Sequence, residues 1–408
     1  MEIPPLVTVR QALVKDHVVD VAGEVTRQLR LAGLGTRLRT GSRIAITAGS
    51  RGVSNIASIV EVVVREVLAS GALPFVVPAM GSHGGATAAG QRQVLAEYGI
   101  TEEAMGCPIL SDMEPVLIGH TGEGVPVYMD RNACHADGVV VVARVKCHTS
   151  FRAPVESGMC KMIAVGLGKQ RGAEAIHRHG LGPVIEEVAR VTLATGKIVL
   201  GLAIVENSYE ETYRIEAVAP ERIPERDRDL LLLANSLFPR VAFDPLDLLI
   251  VDWMGKNLSG SGMDFNVIGL WRRLEGVERK PFFKRIAVLN LTPESAGNAI
   301  GMGAADFTTQ RLFQQIDFQK TYMNALTANA PHVAKIPLVM ANDREAIETS
   351  LKSADPQGAP RVVRIHSTLH LAEYQISPAL LEEARALPNL KVLGQPEPMR
   401  FDETGHLV

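Results

Sequence analysis

Cysteine is scarce: Cys107, Cys134, Cys147 and Cys160 are the four in 408 residues, and no two form a C-x-x-C pair. That excludes a disulfide framework and fits a reducing compartment. Neither sign of charge dominates. There are 42 Lys+Arg against 45 Asp+Glu, a formal charge of -3, and no basic run long enough to follow a phosphate backbone, so nucleic acid is not an expected partner. No apolar stretch reaches the roughly 18 uncharged residues that cross a bilayer. The start MEIPPLVTVRQALV lacks the basic-then-apolar layout of a signal peptide. The expectation is a cytoplasmic protein with no membrane partner; a homo-oligomer is left open.

What is present is globular: 46% apolar and 21% charged residues, enough for buried cores, in a chain long enough for two domains. With 36 glycines and 23 prolines, many tight strand-to-helix turns are expected, the places where backbone approaches a ligand closely. Short apolar runs at 43–50, 73–80 and 137–149 read as strands, the last as a central strand of a parallel sheet. Helical spacing of Ile56, Ile59, Val60, Val63, Val64, Val67 and Leu68 follows the first, and Thr87 is a candidate N-cap for a helix through Leu95. Alternation continues through a helix at 184–193 and a strand at 197–207. A second set of strands is predicted at 246–253, 286–292, 336–341 and 361–366, with helical segments at 295–328, 343–353 and 378–387. The fold class is therefore α/β: two α/β domains, residues 1–245 and 246–408, with mainly parallel sheets, an active-site cleft between them and a polar tail from Gln395 that packs back.

Ligands of open parallel sheets gather at the carboxyl ends of strands, where loops and helix N-termini present unpaired N–H groups. Arg51 stands there in GSRG, next to Ser50; His83 in GSHGG; His148 in KCHTS. An arginine can hold a carboxylate bidentately, and histidine exchanges protons near neutral pH. One such residue is more often a solvated loop residue; three at equivalent strand ends favour a site. The stretch 156–180, ESGMCKMIAVGLGKQRGAEAIHRHG, adds Lys161, Lys169, Arg171, His177 and His179 in a glycine-rich setting. Burial beside Cys160 would make Lys161 a nucleophile able to form a covalent adduct; the plain alternative is a lysine that snorkels from a helix.

With Arg51, His83, His148, Lys161 and His177 in this order, and His177 sixteen residues after Lys161, the sequence resembles the lactate racemase family over most of its length. The stretches GKNLSGSGMDFN (255–266) and LTPESAGNAIGMGAADFTT (291–309) resemble its racemase-like branch. The resemblance implies a nickel-pincer nucleotide, a pyridinium with two sulfur arms, tethered to Lys161 with His177 as the nickel ligand. It also implies His83 and His148 as the acid–base pair and Arg51 as carboxylate clamp. Two departures stand out. Glu156-Ser157-Gly158-Met159-Cys160 replaces the family's Ser-Gly-Gly-Arg run before the lysine, and Gly269 and Arg272 stand where a Gln and a Lys line the lactate pocket. The smaller residue at 269 implies room for a 2-hydroxy acid larger than lactate, such as a sugar acid. Lys256 and Arg272 are expected to bind substrate, and Ser50, Asp264 and Asn266 the cofactor. The plain alternative for Asp264 and Asn266 is that they shape the turn after SGSGM.

The implied reaction is racemisation or epimerisation at C2. The C2 hydrogen of a 2-hydroxy acid is barely acidic, but its removal as hydride gives a stable 2-keto acid; a cofactor accepts the hydride while the protein supplies geometry. Soft sulfur with one imidazole in a square plane suits Ni(II). Competing readings are a nicotinamide-dependent 2-hydroxy acid dehydrogenase, which lacks a G-x-G-x-x-G unit with an acidic residue about 20 positions on, and a non-catalytic nickel or nucleotide carrier, which has no need of an acid–base pair.

Overall fold

The N-terminal strand, β1 (Leu6–Gln11), pairs with strands from the far end of the chain. A computed structural model describes residues 2–50 and 52–408. These form two units, one spanning Val14–Phe238 and the other joining the segment up to Leu13 with Pro239–Val408. Residues 2–13 thus go with the C-terminal unit and not with residues 14–245, where the sequence reading placed them.

In the Val14–Phe238 unit, β2 (Arg43–Ala48), β3 (Leu73–Pro78), β6 (Gly138–Arg144), β7 (Ile198–Glu206) and β8 (Thr212–Val218) form a sheet in the order β3-β2-β6-β7-β8. The first four are parallel and β8 closes one edge antiparallel. The sequence GVVVVA lies at its centre and is buried on both faces, the pattern that a central parallel strand requires. Helix Ile56–Ala69 buries Ile59, Val60, Val63, Val64 and Val67, as its spacing predicts, together with Val62. Thr87 caps Ala88–Glu97, its side chain accepting the N–H of Gly90. A separate hairpin comprises β4 (Pro115–His120) and β5 (Pro126–Asp130).

In the other unit, β9 (Leu246–Met254), β10 (Phe283–Leu291), β11 (Phe307–Thr309), β12 (Leu338–Met340), β13 (Val362–Ile365), β14 (Glu373–Ile376) and β15 (Leu390–Glu397) join β1 in one sheet, in the order β12-β11-β10-β9-β13-β14-β1-β15. The run β12 to β13 is parallel; the last three strands are antiparallel additions. The span 295–328, expected to be helical, contains β11 between short 3-10 turns and two helices. Thr308 and Thr309 secure that strand, their hydroxyls donating to the carbonyls of Val288 and Leu289. Among the described residues no helix is long and apolar enough to cross a membrane.

Candidate active site

Because β2, β3 and β6 are parallel neighbours, their carboxyl ends share one edge of the sheet. Ser50, His83 and His148 follow those ends. Arg51 lies outside the described residues. Its neighbours are held: the Tyr98 hydroxyl donates to the carbonyl of Ser50 (3.2 Å), and the N–H of Ser54 donates to Glu206 (2.7 Å). The Ser50 hydroxyl forms a short hydrogen bond with Nδ1 of His83.

The stretch from Gly158 to Arg178 runs as a single turn Met159–Lys161, a π-helical turn Met162–Gly166 and the helix Lys169–Arg178. In the π turn the Leu167 N–H reaches back five residues to Met162, a bulge frequent at functional sites. Gly166 meets the end of β3 closely: its Cα has no room for a Cβ, which would lie 2.7 Å from the carbonyl oxygen of Ala79. The Gly81 N–H donates to the carbonyl of Gly166 (3.2 Å) and Gly49 abuts Met162. The loops bearing Ser50 and His83 are thereby locked against the lysine segment.

His148 is attached to the same segment through Glu156, whose buried carboxylate accepts the backbone N–H of His148 (2.6 Å). Burial pushes the Glu156 carboxyl up from its ordinary range, with Lys161 among the cations that oppose this. Nδ1 of His148 accepts the N–H of Ser150 (3.1 Å), and the ring packs on Phe151 with centroids 4.4 Å apart. With that lone pair used, the proton of a neutral ring sits on Nε2. His177 has its pKa lowered first by desolvation and then by the Lys161 charge. Although the residue is exposed, both effects favour the neutral imidazole that a metal ligand must be. The loops that carry Ser50 and His83 thus adjoin the segment that carries Lys161, Glu156 ties the backbone of His148 to the chain just before it, and the Lys161 charge is felt at His177. No group of three or more His, Cys, Asp or Glu that could hold a metal occurs among the described residues. A metal at His177 would need most of its donors from elsewhere, as a sulfur-bearing cofactor would provide.

Asp227, which sequence reasoning did not single out, fixes the lysine turn. Its buried carboxylate accepts the N–H groups of Met159 (3.0 Å) and Cys160 (2.7 Å), and a Cβ at Gly158 would lie 2.5 Å from it. Burial lifts its pKa from 3.8 to about 6. The native state holds this proton more tightly than the unfolded chain, so stability from this group is present below about pH 4 and lost as pH rises through about 6. A shift of roughly two units corresponds to about 3 kcal/mol. Asp227→Asn removes that slope: relative to wild type, its urea-unfolding free energy rises by up to about 3 kcal/mol between about pH 4 and pH 7. A parallel pair of curves would contradict this.

The C-terminal residues named from the sequence have local roles. Lys256 Nζ donates to the carbonyl of Gly260 (2.7 Å) and to Asn324 (3.0 Å), closing its own loop. Asp264 Oδ1 accepts both the backbone and side-chain N–H of Asn266 (2.8 Å each) as it caps Phe265–Ile268, the turn-shaping role. Arg272 leaves the substrate-binding set. Its buried guanidinium donates to the carbonyls of Ala304 (2.7 Å) and Phe283 (2.6 Å), pairs with Asp306 (3.2 Å) and lies on Trp271, which makes it a strut of this unit. Gly269 opens no space either: a Cβ there would lie 2.5 Å from Trp271 Nε1 and 2.9 Å from the carbonyl of Pro281. The argument for a substrate larger than lactate loses its basis.

No family model matches the sequence and no curated protein matches it. Solved structures do match. A lactate racemase apoprotein from Thermoanaerobacterium thermosaccharolyticum superposes with a TM-score of 0.51, at 13% identity, over 89% of this chain and 93% of that one. The chain has the lactate racemase fold. A protein from Thermotoga maritima, solved by structural genomics, superposes with a TM-score of 0.50 at 12% identity, over 86% of this chain and 97% of that one.

Proposed function

We propose that this protein is an isomerase of the lactate racemase type, inverting C2 of a 2-hydroxy acid with a nickel-pincer nucleotide attached to Lys161 and His177. The observation that supports this reading is that the loops of Ser50 and His83 pack on the segment carrying Lys161, with Glu156 holding the backbone of His148 and the Lys161 charge acting on Glu156 and His177. The likeness to a lactate racemase apoprotein supports it at the level of fold. Lys161 would carry the tether and His177 would be the protein's ligand to nickel. When bound, the cofactor supplies a reversible acceptor for the C2 hydride.

The chain's own residues supply the proton chemistry. Departure of the C2 hydrogen must be matched by loss of the hydroxyl proton, and inversion needs the reverse transfer on the other face. His148 presents its proton at Nε2. His83 has a partner in Ser50 that accepts or donates, so its ring can hold a proton on Nδ1 and offer the Nε2 lone pair as base. Arg51 would hold the carboxylate while the planar 2-keto acid turns between faces.

The test is an intact mass spectrum and nickel analysis of protein made in a host that synthesises the cofactor. The expected result is a nucleotide-sized adduct mapped to Lys161 with stoichiometric nickel. Inversion of a 2-hydroxy acid by protein with unmodified Lys161 and no nickel contradicts the reading.

A further inference from the structure

The lysine that the structure buries most deeply is Lys169, with no exposed surface. It starts the helix that carries His177 in its last turn and has a left-handed backbone, φ +53°, that glycine would adopt more readily. What this position requires is therefore the side chain. Its ammonium donates to the carbonyl of Pro78 at the end of β3 (2.6 Å) and to Gln91 Oε1 (3.1 Å), and forms an ion pair with Asp130 Oδ2 at the end of β5 (3.0 Å). Gln91, itself fully buried, turns its amide the other way. Its Nε2 donates to the carbonyls of Gly81 (2.9 Å) and His83 (3.2 Å). Asp130 is anchored in turn by the N–H of Ala133 (2.9 Å).

We propose that Lys169, acting through Gln91, is a positioning residue for His83: it sets the GSHGG loop relative to the helix that carries His177. Neither side chain belongs to the acid–base pair, the tether or the metal ligand. Lys169 orients the Gln91 amide by occupying its oxygen, and the two N–H groups left over grip the loop on either side of Ser82. The same cation holds the carbonyl that precedes this loop in β3. Removing the grip takes away the two bonds that flank Ser82, while the His83 N–H to Met80 and the ring bond to Ser50 stay in place. The loop glycines at 84 and 85, both at positive φ, add no stiffness.

The inference rests on the reading of His83 as an acid–base residue, so its test begins with a readout that needs neither cofactor nor substrate. In cofactor-free protein, long-range ¹H–¹⁵N spectra report the Nδ1 environment of His83, with Ser50→Ala as the reference for a ring that has lost its hydroxyl partner. Gln91→Glu keeps an acceptor for Lys169 and loses the two amide donors; Gln91→Met, of similar length, loses both functions. In both variants the His83 signals are expected to move toward those of Ser50→Ala. In loaded enzyme kcat falls on the order of 10²-fold with KM unchanged, the cost of roughly 1 Å of misplacement. A lowered melting temperature with wild-type His83 signals and wild-type kcat in the folded Glu variant overturns the proposal. If wild type inverts no 2-hydroxy acid, the functional reading fails, and the His83 spectra of the Gln91 variants and of Lys169→Met still decide whether Lys169 and Gln91 position the loop.

Discussion

Lys161→Ala is expected to yield a folded protein with no nucleotide adduct, no retained nickel and inversion at the background rate. The amine is the group that makes the proposed covalent tether, and His177 alone is one imidazole, too few donors to retain a divalent metal. Folding should survive. Lys161 is half-buried at the end of its turn, and the contacts that hold the turn come from the Asp227 carboxylate to the backbone of Met159 and Cys160. Lys161→Arg is expected to behave like the alanine variant, because a guanidinium keeps the charge but is not a nucleophile at neutral pH. Mass spectrometry separates the two explanations for inactivity: absence of the adduct with an unchanged far-ultraviolet spectrum assigns the loss to the tether. Adduct formation at another residue in Lys161→Ala would contradict the assignment.

Replacing either of the histidines proposed to transfer protons, His83 or His148, by asparagine is expected to lower kcat by about 10²- to 10⁴-fold, the range for loss of a positioned general acid or base. Asparagine is the informative choice at 148, since its Oδ1 can accept the Ser150 N–H that Nδ1 accepts now, so the loop keeps its shape without an exchangeable ring proton. At 83 the side chain is exposed and its ring bond goes to Ser50, so His83→Asn should leave unfolding free energy nearly unchanged while activity falls. On the proposed mechanism the two histidines serve opposite halves of one reversible reaction, so the double variant should lose little more than the worse single one. Additive losses would mean that both act in the same rate-limiting step.

Much of this architecture is legible in the sequence because burial writes it there directly. GVVVVAR has no polar residue before its last position and becomes the centre of the five-stranded sheet; the 3.6-residue period from Ile56 to Val67 becomes the covering helix. Strand β11 is not legible in that way. Its three residues follow a glycine- and alanine-rich run, and what makes it a strand is pairing with β10 and β12 far along the chain. The same holds for β1, whose partners lie more than 350 residues away.

The site divides similarly. Histidines and a lysine after strand ends are visible as chemistry out of place among apolar residues. The carboxylate of Asp227 and the amide of Gln91 are not, because each looks like an ordinary polar position in a helix until the fold buries it against Met159 or His83. Arg272 and Gly269 show the converse. A charge and a small residue near an expected pocket suggest binding and space, yet Asp306, two carbonyls and Trp271 already occupy both.

Whether C2 keeps its own hydrogen during inversion tests the proposed chemistry most directly. Enantiopure 2-hydroxy acids of three to six carbons are incubated with loaded enzyme in deuterated water and followed by proton NMR and chiral separation. Reversible hydride transfer requires that the inverted product retain protium at C2. Deuterium entering C2 at the rate of inversion would show deprotonation to an enediolate, and the hydride mechanism built on Lys161, His177 and the two flanking histidines would be contradicted.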